Sequence, residues 1–127
     1  MQKLIFVVDD NDANLTMAAL VLEVDYRVLT MPSALKMLAL LEKKQPDMIL
    51  LDIEMPDMTG FEAIVQLKEH PEWKNIPVIF LTGRNEDSVM SEGLQLGALD
   101  FIHKPILPTA LINRVRNYLE LIERRKA

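Results

Sequence analysis

Met48-Ile49-Leu50-Leu51-Asp52-Ile53-Glu54-Met55-Pro56 is an apolar run that stops at a carboxylate and passes into a proline-anchored turn. A run this apolar, without alternation, suits a central parallel strand covered on both faces. In open α/β sheets, ligands gather outside the carboxyl ends of such strands. The stretch therefore predicts a buried strand that delivers Asp52 to the sheet edge where chemistry is expected.

Working outward, Leu4-Ile5-Phe6-Val7-Val8 is a second continuous apolar run, and it too ends in acids, Asp9 and Asp10. Pro77 opens a third, Val78-Ile79-Phe80-Leu81, which ends in Thr82-Gly83-Arg84. Shorter strands are predicted over Tyr26 to Thr30 and over Leu99 to Ile102, the latter just before Lys104-Pro105. Helical patterns fill the gaps. Asn11 or Asp12 caps one through about Val24, with Leu15, Ala18, Ala19 and Leu22 at helical spacing. Pro32 suits the first turn of a second, running through Ala34, Leu35, Leu38 and Leu41 to about Lys44. Thr59 and Glu62 have the form of a capping box opening a third to about Glu69. A fourth runs from about Glu86 to Leu96 and stops at Gly97, and Pro108 starts a fifth that ends near Arg125.

Five strands alternating with five helices predict an α/β fold, a doubly wound parallel sheet with right-handed crossovers. A strand order of 2-1-3-4-5 sets the ends of strands one and three side by side at the switch point, so Asp9, Asp10 and Asp52 converge.

The chain has 127 residues, half of them hydrophobic, which suits one domain with a single sizeable core. Its 14 Lys and Arg against 19 Asp and Glu argue against direct binding of nucleic acid or of an anionic membrane. No cysteine is present, so disulfides and thiolate metal sites are excluded. No apolar run approaches membrane-spanning length, and acids follow the first apolar run directly, unlike a signal peptide. A cytoplasmic domain is the expectation.

Three carboxylates in one pocket repel one another by a few kcal/mol per close pair at an effective dielectric of about 20, so the cluster needs a compensating cation. Lys104 and Mg²⁺ are the candidates, because oxygen-only ligands favour a hard cation that keeps waters for a phosphate to displace. Asp52 can then act as a carboxylate nucleophile in phosphoryl transfer, with Thr82 and backbone amides supplying further donors.

Asp9-Asp10 after strand one, Asp52 in Asp-Ile-Glu-Met-Pro, Thr82-Gly83 after strand four and Lys104-Pro105 after strand five occur in that order. With this ordered set the chain resembles a response-regulator receiver domain, CheY-like with a flavodoxin-like sheet, over nearly its whole length. The resemblance implies a two-component system phosphoprotein in which Asp52 is the phosphoacceptor. It implies Mg²⁺ held by Asp10, by Asp9 mostly through water, by Asp52 and by the backbone carbonyl of Glu54. Lys104 would contact the phosphoryl group, Thr82 would swing its hydroxyl toward it, and Phe101 matches the aromatic switch position. The phosphoryl donor would be a phosphohistidine of a sensor histidine kinase or phosphotransfer protein. The consequence would be a repacked surface of the fourth helix, fifth strand and fifth helix for partner binding or homodimerisation, so the output would be binding rather than turnover, and the chain no enzyme beyond its own phosphorylation and dephosphorylation.

Three positions depart from the family pattern. Gly83 stands where alanine is frequent, Phe101 lacks the hydroxyl of the commoner tyrosine, and Glu23-Val24-Asp25-Tyr26 joins helix one to strand two without the usual glycine. Glu54 and Arg84, each two residues beyond a site residue, are expected to face each other across the pocket mouth and to pair on phosphorylation, setting the phosphoryl lifetime. Asp100 and Arg116 are expected to pair across a twofold interface.

Plainer readings apply elsewhere. His70 and His103 have no second ligand at useful spacing and are read as structural or exposed, and Met37, Met48 and Met90 as core filling. Ile112, Val115, Leu119 and Ile122 form a stripe continuing late into the last helix. Residues from about 120 to 127 thus read either as a solvated helix end or as the start of a linker helix to an output domain outside this chain; the run looks similar to receivers that precede cyclic-dinucleotide enzymes. Two other classes compete. A receiver-like interaction module that no longer uses phosphate is opposed by the complete acid, hydroxyl and lysine set. A haloacid-dehalogenase-type phosphatase would place a second acid where Glu54 stands, but the methionine-proline turn and the lack of a cap insertion oppose it.

Overall fold

A computed structural model describes residues 2–126. Its elements alternate strictly: β1 (Leu4–Val8), α1 (Asp12–Leu22), β2 (Arg27–Met31), α2 (Ala34–Leu41), β3 (Met48–Asp52), α3 (Gly60–Glu69), β4 (Val78–Thr82), α4 (Asp87–Gln95), β5 (Asp100–His103) and α5 (Pro108–Lys126). The sheet is parallel in the order β2-β1-β3-β4-β5, the expected doubly wound topology. Register pairs Val8 with Leu51, Asp52 with Leu81 and Thr82 with His103, which brings all the strand ends to one edge.

The unbroken apolar runs have a physical cause. Successive strand residues point to opposite faces, and each face is covered by helices, so β1, β3 and β4 are buried along their whole length. Phe6, Val8, Ile49, Leu51, Val78 and Phe80 feed the core beneath α2, α3 and α4. Ile5, Val7, Met48, Leu50, Ile79 and Leu81 feed the other, beneath α1 and α5. The edge strand β2 exposes Arg27 and Thr30 instead.

Several boundaries differ from the sequence expectation, each for a local reason. α1 ends at Leu22 rather than Val24, because the amides of Asp25 and Tyr26 both donate to the Leu22 carbonyl and turn the chain toward β2 without a glycine. α2 starts after Ser33, whose side chain accepts from the Lys36 amide, so Pro32 precedes the helix rather than opening it. Its buried face is Ala34, Met37 and Leu41, while Leu35 faces solvent. β2 and β5 each begin and end one residue later than expected. In α5 the fully buried stripe is Leu111, Val115 and Leu119, with Ile112 and Ile122 only half-buried at its flank. Residues 120–126 continue that helix, and Ala127, the end of the anticipated linker segment, lies outside the described residues.

The capping box at Thr59 and Glu62 is present, with both reciprocal hydrogen bonds. Gly97 is the one glycine with positive φ, at +115°, and it ends α4 as expected. His70 stacks on the buried Trp73 at 3.6 Å between ring centroids, a structural role, and His103 is exposed. Met37 and Met48 are fully buried core residues, whereas Met90 is half-buried at the core's margin.

Candidate functional site

The site forms where the topology reverses, at the carboxyl ends of β1 and β3. Asp9 follows β1 directly and is fully buried; its backbone amide donates to the Met31 carbonyl, continuing the ladder toward β2. Its carboxylate accepts from the Asn11 amide at 2.9 Å and from the Asn14 side chain at 3.1 Å. Asp52, the last residue of β3, is 3% exposed, and Asp10 is exposed. Carboxylate oxygens of Asp9, Asp10 and Asp52 lie within 4.8 Å of one another, as the strand order required.

Lys104 answers this charge. Its backbone amide is fixed to the Thr82 carbonyl at 2.8 Å, and its Nζ lies 3.1 Å from Asp9 Oδ2 and 3.2 Å from Asp52 Oδ1. Burial works against the charge on Lys104, but the carboxylates of Asp52 and Asp9 together outweigh it and raise its pKa. For Asp52, burial and then the neighbouring Asp9 charge disfavour ionisation more than Lys104 favours it, and the carboxyl is pushed up to about 7.

Asp52 Oδ1 also accepts from the Glu54 amide, but Asp52 Oδ2 is buried without a hydrogen-bond partner. Such an atom is costly unless something binds it. An orphaned carboxylate oxygen beside two further acids, with no His or Cys, suits a hard, oxygen-seeking divalent cation, so the residues present fit Mg²⁺.

Thr82 ends β4 and is buried, its hydroxyl accepting from the Arg84 amide at 2.9 Å. Gly83 has open space where a Cβ would stand, so the departure from alanine reflects no steric demand. Asp10, Asn11, Asn14, Asp52, Glu54, Thr82, Gly83, Arg84 and Lys104 line a cleft of about 450 Å³ at this edge. Arg84 Nε lies 3.6 Å from Glu54 and 3.2 Å from Glu86, so the expected pair across the mouth is already formed in this state and is shared with a third residue.

Phe101 sits apart from the cleft. It is buried beneath α4, its ring centroid 5.7 Å from that of Phe80. Arg114 of α5 donates to the Phe101 carbonyl at 2.6 Å and pairs with Asp100 at 3.0 Å, while the Tyr118 hydroxyl donates to the same Asp100 carboxylate. Arg116, expected to meet Asp100 across a twofold interface, is hydrogen-bonded within its own chain to Asn113 and lines the groove beside Tyr26. Asp100 is thus satisfied within its own chain. Two residues along a helix turn the side chain by about 200°, which puts Arg114 and Arg116 on opposite flanks of α5.

Sequence reasoning missed Asn14, which orients Asp9 from the first turn of α1, and Arg114. Asn14 had a legible signal, since the Asn11 cap places it where its side chain points back toward the strand end.

Fold and site together define a small α/β signalling domain with an acidic, lysine-balanced pocket at its switch point. The chain belongs to the response regulator receiver domain family, which matches residues 5–116. It is a phosphorylation-activated signalling receiver of the two-component type, and domains of this family bind Mg²⁺ at their acidic site. It is 38% identical over 116 residues to the "Probable cyclic di-GMP phosphodiesterase" of Vibrio cholerae, covering 91% of this chain and 26% of that protein. It is likewise 38% identical over 118 residues to response regulator PleD of Caulobacter vibrioides, covering 92% of this chain and 26% of that protein. The chain therefore spans about a quarter of these relatives. Among solved structures, the chemotaxis response regulator CheY4 of Vibrio cholerae superposes with a TM-score of 0.87 at 28% identity, over 92% of this chain and 98% of that one. No helix among the described residues is long and apolar enough to cross a membrane.

Proposed function

We propose that Asp52 accepts a phosphoryl group from the phosphohistidine of a sensor kinase or phosphotransfer protein. A carboxylate oxygen of Asp52 forms the new bond to phosphorus, the bond from phosphorus to the imidazole nitrogen breaks, and the histidine, carrying a proton on its other ring nitrogen, leaves as neutral imidazole. The observation that carries this reading is Asp52 Oδ2, buried and unpartnered at the edge of a cleft whose lysine is already paired with Asp9 and with the other Asp52 oxygen. In this reading Asp9, Asp10, Asp52 and the Glu54 carbonyl hold Mg²⁺, which when bound neutralises charge on the transferring oxygens. Asn14 keeps Asp9 oriented, and Lys104 exchanges its contact with Asp52 for one with the phosphoryl oxygens. Thr82 gives up the Arg84 amide to point its hydroxyl into the cleft, and Phe101 and the α4–β5–α5 surface repack in response.

The whole of residues 1–127 forms one cytoplasmic receiver unit in this reading. Its output is a binding event on the α4–β5–α5 surface, a homodimer or contact with an output domain outside this chain, and its only chemistry is its own phosphorylation and dephosphorylation.

Intact mass after incubation with acetyl phosphate tests the reading. The parent is expected to gain one phosphoryl group only with Mg²⁺ present, and Asp52→Asn none. An adduct retained in the variant, or none in the parent, would remove Asp52 as acceptor.

Arg84, tied to Glu54 and Glu86 over the cleft, restricts the water that would attack the acyl phosphate. These contacts are exposed and screened by solvent, so Arg84→Ala should shorten the phosphoryl lifetime only by roughly two- to fivefold, with little change in melting temperature. An unchanged decay by mass spectrometry would exclude this role.

A further inference from the structure

Three donors meet the buried carboxylate of Asp9: the Asn11 amide on Oδ1, and the Asn14 carboxamide and Lys104 Nζ on Oδ2. A carboxylate offers about four acceptor positions, so little more than one is left for a cation or for a water that the cation carries. Two of the donors belong to the start of α1 and close a ring. The Asn14 backbone amide donates to the Asn11 side chain at 3.0 Å, while the Asn11 amide and the Asn14 side chain donate to Asp9 at 2.9 and 3.1 Å. Asp9 cannot turn without giving up both of its bonds to α1.

The third donor is shared. Lys104 also meets Asp52, and in the proposed reaction it turns to the phosphoryl oxygens, which leaves Asn14 as the side chain that stays on Asp9 Oδ2. The Asn14 donor is also neutral. It directs the carboxylate without a charge that would repel a divalent cation, as a lysine or arginine in its place would do. We infer that Asn14 is a positioning residue for the cation: by fixing Asp9 Oδ2 from the first turn of α1, it sets the Mg²⁺ affinity of the cleft without being a ligand itself. The inference rests on the proposed Mg²⁺ site and deepens it, by making the start of α1 a working part of that site. Loss of a residue that orients a metal-binding acid from outside the ligand set typically weakens the metal by about 10- to 100-fold.

Calorimetric titration of Mg²⁺ into the parent and into Asn14→Leu is the first arm of the test, with melting in chelator as the check on folding. Leucine has nearly the shape of asparagine and carries no donor. Mg²⁺ is expected to bind Asn14→Leu about tenfold more weakly than the parent, and a loss smaller than about threefold overturns the inference. If Asn14→Leu does not fold, Asn14→Ser, whose side chain is too short to reach Asp9, is titrated in its place and read in the same way.

The second arm separates donation to Asp9 from a loosened helix start. Ala13 is exposed in the same turn of α1, and Ala13→Gly weakens that turn through backbone freedom while leaving all three donors on Asp9. It is expected to lower the melting temperature while keeping Mg²⁺ affinity within about threefold of the parent. A loss of affinity in Ala13→Gly equal to that in Asn14→Leu would mean that fraying of α1 governs the site, and would overturn the inference. A parent that binds no Mg²⁺ would remove the proposed cation site and this inference with it, whereas a parent that binds no more tightly than Asn14→Leu would remove the inference alone.

Discussion

Asp52→Asn is expected to stabilise the metal-free protein at neutral pH while abolishing its phosphorylation. The parent buries a carboxylate beside Asp9, and burial together with that charge holds the Asp52 pKa near 7, against 3.8 for the unperturbed group. Between those values the folded state binds a proton that the unfolded state releases. Stability must then fall as pH rises from about 4 to about 7, by up to about 1.4 kcal/mol per pH unit. The full interval sets a ceiling of about 4 kcal/mol; because the variant also loses the Lys104 contact that favours the ionised Asp52, a net gain of about 2 kcal/mol for the variant at pH 7.5 is the expectation. In a domain of this size that is roughly 5–10 °C in melting temperature.

The pH dependence separates this cause from a generic packing effect. The gap between variant and parent should be full at pH 7.5, shrink as pH falls through about 7, and nearly vanish by about pH 4. Mg²⁺ should narrow it from the other side, because a cation bound to the acid cluster stabilises the parent in proportion to its saturation. Thermal melts in chelator and in excess Mg²⁺ across this range are the measurement. A variant no more stable than the parent at pH 7.5, or a gap constant with pH, would mean that Asp52 is not held against its ionisation.

What the sequence made legible follows the strength of each local constraint. The strands of the core are apolar on both faces, and no other placement buries Met48–Leu51 or Val78–Leu81, so topology and the meeting of Asp9, Asp10 and Asp52 could be read directly. Helix phase was less constrained. In α2 nearly every residue is apolar, so leucines at 35 and 38 mimic a core stripe that Ala34, Met37 and Leu41 in fact supply. Arg114 as the partner of Asp100 within the chain went unread for the same reason, since only the rotation of α5 decides which of its arginines faces β5.

Gly60→Ala is the substitution expected to damage fold and site together. Gly60 is the first residue of α3, buried, and its amide donates to the Ile53 carbonyl at 2.7 Å, which folds the loop after Asp52 back onto the strand end. A Cβ there would fall on the Asp52 carbonyl oxygen and stand 2.9 Å from Ile53 Cα and 3.1 Å from Phe80 Cε1. Two of these neighbours are backbone of the central strand and its continuation, locked between β1 and β4, so neither can swing aside as a side chain would. Relief requires α3 to lift away, breaking the Gly60–Ile53 bond and loosening the core contacts of Ala63, Ile64 and Leu67. Overpacking of this kind costs about 3 kcal/mol, or roughly 10 °C in melting temperature. Because the displaced atoms belong to Asp52 itself, phosphoryl uptake from acetyl phosphate should slow at least about tenfold even where the variant remains folded. Gly83→Ala is the control, since its Cβ enters open space on the same rim of the cleft. A Gly60→Ala protein that melts and phosphorylates like the parent would show that the junction between Asp52 and α3 yields freely, and that the acceptor is not held by this contact.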